Sequence, residues 1–442
     1  MNSKFLSGAK TGPFLLGLIC SLTLASCGSS SSNSTAPASA VNNSVAVTVG
    51  FGPTGQAGGY VNGIFTTVNV CQHGTSNCTT INNVLVDTGS VGLRILTSAL
   101  GSVALNQITE SGNAIEECIQ YGDTSYSWGP MQLADVDIGG ETASNIPVQL
   151  LGGTTFTVPS SCLTTPVNLA LPNAGDEDTL ASLGANGILG IAGSVVDCGS
   201  YCSSNIAGNP YYICPSGVCE EVEVATDVQA TNPIAAFTSS DKNGVMITLP
   251  AVGATGTVSV SGTMNFGIAT QADNALGSAT IYAMDPCGDF PTVTYNGITY
   301  SDTACTTGAG GSGGFLDTGS NGLYVSDAST LAPLGIFDCL QNTAGSGFYC
   351  VTGGTATLSN IGLAGNGNVG TGSISLSIAD ASTLIKSNNA VFNNLGGDSG
   401  GSPSTDYFDL GLPFFLGRTI FIEIAGGTAP SLVNAPYGFV AF

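Results

Sequence analysis

The chain has 442 residues, 43% of them hydrophobic and only 8% charged, against roughly 25% charged in ordinary soluble domains. Six Lys and Arg face 29 Asp and Glu, a formal net charge of −23. No cationic patch can be assembled for a phosphate backbone, so nucleic acid is excluded as a partner. The single histidine, His73, rules out a multi-histidine zinc site, and neither a metal nor another cofactor is expected. The length suits two or three domains or one large two-lobed unit.

In chain order, residues 1–26 read as an export signal: Lys4 and Lys10 give a basic start, and Phe14 to Ala25 an apolar stretch too short to span a bilayer in the mature chain. Leu24-Ala25-Ser26-Cys27 resembles a bacterial lipobox, which implies that Cys27 becomes the lipidated first residue. Cys20 is a poor rival because Ile19 precedes it. Residues 27–45, rich in Ser and Asn, read as a flexible tether. The expected place is therefore the bacterial envelope, periplasmic or at the outer membrane, with membrane contact through the N-terminal lipid alone. Without Cys20 and Cys27 the 14 cysteines leave an even number, which in an exported chain reads as disulfides. Neighbours suggest Cys71 with Cys78, Cys118 with Cys162, Cys287 with Cys305 and Cys339 with Cys350. Cys198, Cys202, Cys214 and Cys219 form a cluster of open pairing, whose spacing also suits zinc in another compartment.

Beyond the tether come short β-type runs broken by Gly, Asn and Pro: Val45 to Val49, Phe65 to Val70, Val84 to Val86, Val245 to Thr248. Helical periodicity is nearly absent; Leu93 to Leu100 and Ala381 to Lys386 are candidates for single turns. The expected class is all-β, sandwich or barrel-like, with few short helices.

An internal repeat decides more. Residues 87–95 read Asp-Thr-Gly-Ser-Val-Gly-Leu-Arg-Ile and residues 317–325 Asp-Thr-Gly-Ser-Asn-Gly-Leu-Tyr-Val, identical at six of nine positions. Each copy follows an apolar strand, Val84-Leu85-Val86 or Phe315-Leu316. One Asp-Thr-Gly-Ser is weak in so Gly- and Ser-rich a chain; two, each at a strand-to-turn junction with a shared tail, are specific.

These paired motifs resemble those of the pepsin-like aspartic peptidases, in which each of two β lobes brings one aspartate to a shared cleft. Within bacteria, the lipobox, the added cysteines and the pair resemble an uncharacterised family of exported lipoproteins. The resemblance implies a two-lobed fold of double-psi β-barrel type lobes, with Asp87 and Asp317 catalytic. Two adjoining carboxylates cannot both ionise, so one keeps a proton while the other takes one from water. It further implies that Thr88 and Thr318 tie the loops together, that Gly89 and Gly319 allow the close approach, and that Ser90 and Ser320 bond the carboxylates. Gly187 to Ala192 resembles the apolar-Gly segment beside the first aspartate, Phe414-Phe415-Leu416-Gly417 its C-terminal counterpart, and Tyr437 to Val440 the last strand. The stretch from Tyr121 to Gly140 resembles the flap hairpin; Tyr121 falls at the place of the flap tyrosine, with Tyr126 and Trp128 as rivals.

Two arginines depart from the family pattern: Arg94 after the first motif and Arg418 after the C-terminal apolar-Gly segment. Each reads either as a structural ion pair or, for Arg94, as a cleft residue that engages an acidic substrate group. The extra length between the motifs is expected around Cys198 to Cys219. No Lys-rich prosegment precedes the first strand, so pepsin-style latency has no evident source. His73 reads as a surface-loop residue, and Asp302, Asp327 and Asp338 as turn formers. The expected division is an N-terminal β lobe over 46–235 and a C-terminal β lobe over 236–442, in a monomer that carries both motifs. Its expected activity is an acid-active aspartic endopeptidase cutting peptide or protein substrates. The alternatives are a non-catalytic binding protein of the same fold and a β-rich adhesion protein.

Overall fold

A computed structural model of the chain describes residues 43–53, 60–122, 125–163, 175–302, 313–326, 328–341, 343–399, 407–427, 429 and 435–442. The expected signal segment, Cys27 and nearly all of the tether lie outside them, as do Cys305 and Asp327. The described chain is all-β, and its α-helices (Leu180–Leu183, Ala328–Leu331, Ala381–Leu384 and Leu412–Phe415) are one turn each. Of the two expected helical turns, Ala381–Leu384 forms, with the Asp380 side chain accepting from Thr383 N at its start. The other does not: Val91–Leu96 is a strand, and only a 3-10 turn, Thr97–Ala99, follows.

Strands at the surface carry the period of two that a half-buried sheet demands. In Ser44–Gly50, Val47 and Val49 are buried while Thr48 is exposed. Val91–Leu96 and Gly187–Ile191 are instead buried at every position, because both faces are covered. Local turn chemistry joins neighbours: Asn296 and Gly297, both at positive φ, link Thr292–Tyr295 to Ile298–Ser301 as a two-residue hairpin. Gly139 and Gly140 do the same between Tyr126–Ile138 and Glu141–Leu151.

The largest sheet crosses the expected boundary near residue 235. Ser44–Gly50 pairs antiparallel with Val260–Phe266, Val45 opposite Met264, and Gly244–Thr248, Thr419–Glu423 and Phe439–Ala441 continue the same sheet. Two four-stranded sheets stand apart from it: one of Thr292–Tyr295, Ile298–Ser301, Thr355–Ala364 and Thr371–Ala379, the other of Gly314–Asp317, Leu323–Val325, Gly396–Gly397 and Phe408–Gly411. One apolar core serves both halves, taking in Val86 and Leu189 from the first and Leu316 and Leu410 from the second.

Five disulfides hold the described loops: Cys71–Cys78, Cys118–Cys162, Cys198–Cys202, Cys214–Cys219 and Cys339–Cys350. The open cluster is thus two local pairs, with no thiolate left there for zinc. Disulfides in this number fit an exported chain folded in an oxidising compartment. Among the described residues no helix is long and apolar enough to cross a membrane.

Candidate active site

Both copies of the repeat are built by the same local topology. Cys78–Asp87 runs into the first motif and Val91–Leu96 leaves it. Gly187–Ile191 lies between them, parallel to the first and antiparallel to the second, with Gly190 opposite Asp87. In the second half Gly314–Asp317 enters and Leu323–Val325 leaves, with Phe408–Gly411 between them and Gly411 opposite Asp317. The two inserted glycines are required by space: a Cβ on Gly190 would lie 2.7 Å from Val91 N, and one on Gly411 2.0 Å from Gly322 O.

The two loops meet tip to tip. Thr88 Oγ1 donates to Leu316 O (2.9 Å) and accepts from Thr318 N (2.9 Å), while Thr318 Oγ1 donates to Val86 O (2.7 Å) and accepts from Thr88 N (3.1 Å). Each aspartate is held alike: Gly89 N donates to Asp87 Oδ1 (2.8 Å) and Ser90 Oγ to Asp87 Oδ2 (2.5 Å), Gly319 N to Asp317 Oδ1 (2.7 Å) and Ser320 Oγ to Asp317 Oδ2 (2.8 Å). A Cβ on Gly89 would sit 2.6 Å from Asp317 Cγ, and one on Gly319 2.6 Å from Asp87 Oδ1. The backbone of each loop thus closes on the carboxyl of the other.

The carboxyls of Asp87 and Asp317 are hydrogen-bonded to each other. Burial, then the charge of Asp87, then that bond push the Asp317 carboxyl up to about 8. An apposed pair of this kind holds one proton between two carboxyls, so it presents a base and an acid at one point. A cleft of ≈ 990 Å³ opens over it, bordered by Tyr60, Tyr121, Asp289, Tyr324 and Asp398 among others. Tyr60, far from both motifs in sequence, gives its hydroxyl to Gly319 O. Asn62 ties the same region down, donating to Asn321 O (2.8 Å) and accepting from Phe392 N (2.7 Å).

The hairpin of Asn113–Gln120 and Tyr126–Ile138 reaches the cleft at its turn end, where Tyr121 N donates to Ser125 O (2.9 Å). Tyr121 lines the cleft, its hydroxyl 2.9 Å from Ser127 Oγ. Its two rivals do not line it. Tyr126 and Trp128 are buried on the far face with Cys118, Cys162 and Tyr212, and Trp128 Nε1 donates to Phe156 O (3.2 Å). Alternation along the strand explains this, since Tyr126 and Trp128 share one face of it.

Arg94 needs a correction too. Although it borders the cleft, it is 1% exposed, and its Nη2 pairs with Glu117 (2.8 Å) and Asp197 (3.3 Å) while Nε donates to Gln149 (3.1 Å) and Nη1 to Val91 O (2.6 Å). Four of its five N–H groups are engaged inside the protein, two of them on buried carboxyls, which makes this guanidinium structural. The C-terminal apolar-Gly segment also moves: Leu410-Gly411 lies beside Asp317, whereas Phe414 and Phe415 belong to the helical turn that follows. Arg418 therefore stands one turn beyond the site, over the Phe414 ring at 4.2 Å with Nη1 donating to Phe414 O. His73 pairs with Asp135 (2.7 Å) at the surface.

Sequence reading missed Tyr60, Asn62 and Asp409, the last a buried acid on the inserted strand beside Asp317. The lone acid in Phe408-Asp409-Leu410 was the available signal. Among the described residues the grouping close enough for a cation is Asp285, Cys287 and Asp302, but Cys287 is disulfide-bonded and offers no thiolate.

Fold and site together define an all-β protein built on a duplicated Asp-Thr-Gly-Ser loop, its two carboxyls joined at the floor of one cleft. The chain belongs to a family described as protein of unknown function (DUF3443), matched over residues 39–442. No curated protein matches it. Among solved structures it is similar to an aspartic proteinase from Irpex lacteus, at 16% identity over 90% of this chain and 96% of that one, with a TM-score of 0.46.

Proposed function

We propose that the protein is an aspartic endopeptidase of the bacterial cell envelope, exported, lipid-anchored through Cys27 and active as a monomer. The observation that carries this reading is the hydrogen-bonded pair of Asp87 and Asp317, each with the same Gly and Ser donors and with the loops cross-tied by Thr88 and Thr318. The pair shares one proton; with that proton written on Asp317, Asp87 is the base. Asp87 takes a proton from a water between the carboxyls, and the water oxygen bonds to the substrate carbonyl carbon. Asp317 gives its proton to the carbonyl oxygen, so a neutral tetrahedral diol forms. When the C–N bond breaks, the proton on Asp87 goes to the leaving nitrogen and a diol proton returns to Asp317. The carboxylic acid and amine are released with the pair as it began. Tyr121 at the hairpin tip covers the substrate over this pair.

The competing reading, a non-catalytic binding protein, drew in part on Arg94 as a ligand-engaging cation, and the pairing of Arg94 with Glu117 and Asp197 weakens that part. The test is digestion of an unfolded protein between about pH 3 and 9, a range that passes the Asp317 value of about 8 and so covers the loss of the shared proton. Acid-dependent cleavage, abolished by Asp87→Asn and by a statine-type inhibitor, is expected. No cleavage by folded, disulfide-complete protein would overturn the reading in favour of binding.

A further inference from the structure

The cleft reaches two matching positions, one in each half, and their chemistry is opposite. In the first half the residue two before the inserted Gly190 is Ile188, in register with Leu85. Ile188 clusters with Leu85 and Leu183, Tyr121 packs against them, and all four border the cleft. In the second half the residue two before Gly411 is Asp409, in register with Phe315 on one strand and Tyr324 on the other. Register partners share one face of a sheet, and here that face is the cleft wall. Phe315, Tyr324 and Asp409 all border it, together with Tyr407, whose ring stacks on Phe315 at 5.5 Å. Phe408 and Leu410, which alternate with Asp409, are buried in the core instead.

Isoleucine serves at the matching place, so the fold itself does not call for an acid there. Asp409 is 4% exposed although it borders the cleft, which sets it deep, and its Oδ1 has no hydrogen-bond partner among the described residues. A buried carboxylate without a counter-charge costs several kcal/mol, and the chain's own cations do not supply one. Lys4 and Lys10 fall in the expected export signal, and Lys242, Lys386 and Arg418 do not border the cleft. Arg94 borders it but is paired with Glu117 and Asp197. Asp289 and Asp398, both half-buried, add negative charge to the wall of the second half, and Glu177 to that of the first. A carboxyl set deep among aromatic rings suits an ammonium or a guanidinium, since the acid pairs with the charge and ring faces attract it within about 6 Å.

We infer that Asp409, walled by Phe315, Tyr324 and Tyr407, receives a Lys or Arg side chain of the substrate while Ile188 and Leu85 receive an apolar one. The bond presented to the Asp87–Asp317 pair then lies between an apolar and a basic residue. Cleavage of that bond rests on the proposed peptidase reading, whereas recognition of the two side chains does not. Burial, followed by the charge of Asp317, holds the Asp409 carboxyl above the ordinary range while no cation is near. A cation within about 4–6 Å acts the other way, favours the ionised form and draws that proton off.

The test reads binding apart from turnover. Octapeptides carry Leu and Lys at the centre, in both orders, with a ketomethylene replacing the amide between them so that they cannot be cut. Matched peptides carry norleucine in place of Lys. In about 0.5 M NaCl, which screens the half-buried Asp289 and Asp398 far more than a buried group, the folded protein should bind one Lys peptide at least about tenfold tighter than its norleucine match. Asp409→Ile, which copies the Ile188 side, should reverse that preference, and Asp409→Asn should abolish it with the shape kept. Equal binding of Lys and norleucine peptides overturns the inference, as does no binding of either by folded protein, or a Lys preference that survives Asp409→Ile. If neither variant folds, Phe315→Leu removes one ring face and should weaken the Lys peptide alone; an equal loss for the norleucine peptide is just as fatal. Cleavage of the amide forms separates the two readings. Lys-selective binding without cleavage would fail the peptidase reading alone, and cleavage without Lys preference would fail this inference alone.

Discussion

Thr88 and Thr318 each give a hydroxyl proton to the carbonyl that precedes the other's aspartate and receive the other's amide proton. Four hydrogen bonds thus fix the spacing of Asp87 and Asp317 without involving either carboxyl. Thr318 is fully buried, so Thr318→Val should leave Val86 O and Thr88 N without partners. The expected loss is about 1–3 kcal/mol per unsatisfied group in urea unfolding. Cleavage should fall by well over the factor that this destabilisation explains, because the carboxyls lose their register.

Gly89 should tolerate no side chain. Its missing Cβ would stand 2.6 Å from Asp317 Cγ and 2.7 Å from Oδ1, so Gly89→Ala separates the carboxyls or displaces the loop. Activity is expected to vanish. The Asp317 titration should also move down toward the ordinary range, since the charge and hydrogen bond of Asp87 are withdrawn. Gly253→Ala, with open space around its Cβ, should change neither and serves as the control.

What the sequence disclosed was whatever it repeats or spaces locally. The duplicated Asp-Thr-Gly-Ser tail, the apolar strands before it and the nearby cysteine pairs are all short-range patterns. Residues joined only by the fold were hidden. Arg94 meets Glu117 and Asp197 from 23 and 103 positions away, and nothing in its own neighbourhood distinguished an internal ion pair from a cleft cation. Likewise two apolar-Gly steps, Leu410-Gly411 and Leu416-Gly417, compete in one stretch. Only the pairing of Leu410 with Leu316 selects the first, and with it Asp409. The continuous sheet across residue 235 was invisible for the same reason, since Val45 and Met264 are brought together by pairing alone.

The Arg94 network gives a stability prediction. Arg94→Met would leave Glu117 and Asp197 buried together without their cation, and removing one partner of such a cluster costs about 3–5 kcal/mol. Adding Glu117→Gln and Asp197→Asn to Arg94→Met should recover a substantial part, because the uncompensated charge is gone. Unfolding of the single and triple variants in guanidinium measures both. If Arg94 instead served a substrate, stability would barely change and KM would rise.

Acid should stabilise the protein. Burial, with Asp87 adding to it at Asp317, lifts Asp317 to about 8, Glu116 and Glu423 to about 7, and Asp176 and Asp285 to about 6. Asp197, Asp338 and Asp409 move the same way. Between the unfolded value of about 4 and these folded values, the folded chain binds more protons than the unfolded one, so stability falls as pH rises. Two groups oppose this. Asp135, which burial would raise but hydrogen bonds from His73, Gly74 and Asn145 hold at about 2, and Asp380, lowered likewise, contribute stability that is complete above pH 4 and lost only below it. The maximum therefore falls near pH 4 to 5. Calorimetry should show Tm higher at pH 4.5 than at pH 8 by at least about 2–4 °C, the shift given by roughly 1 kcal/mol in a domain of 150–250 residues. The net charge of −23 adds self-repulsion in the same direction at the alkaline end. Because that repulsion is screened by salt while the buried carboxyls are not, the difference should persist at 0.5 M NaCl. A difference that salt abolishes would assign the effect to surface charge and leave the buried acids without their predicted protons.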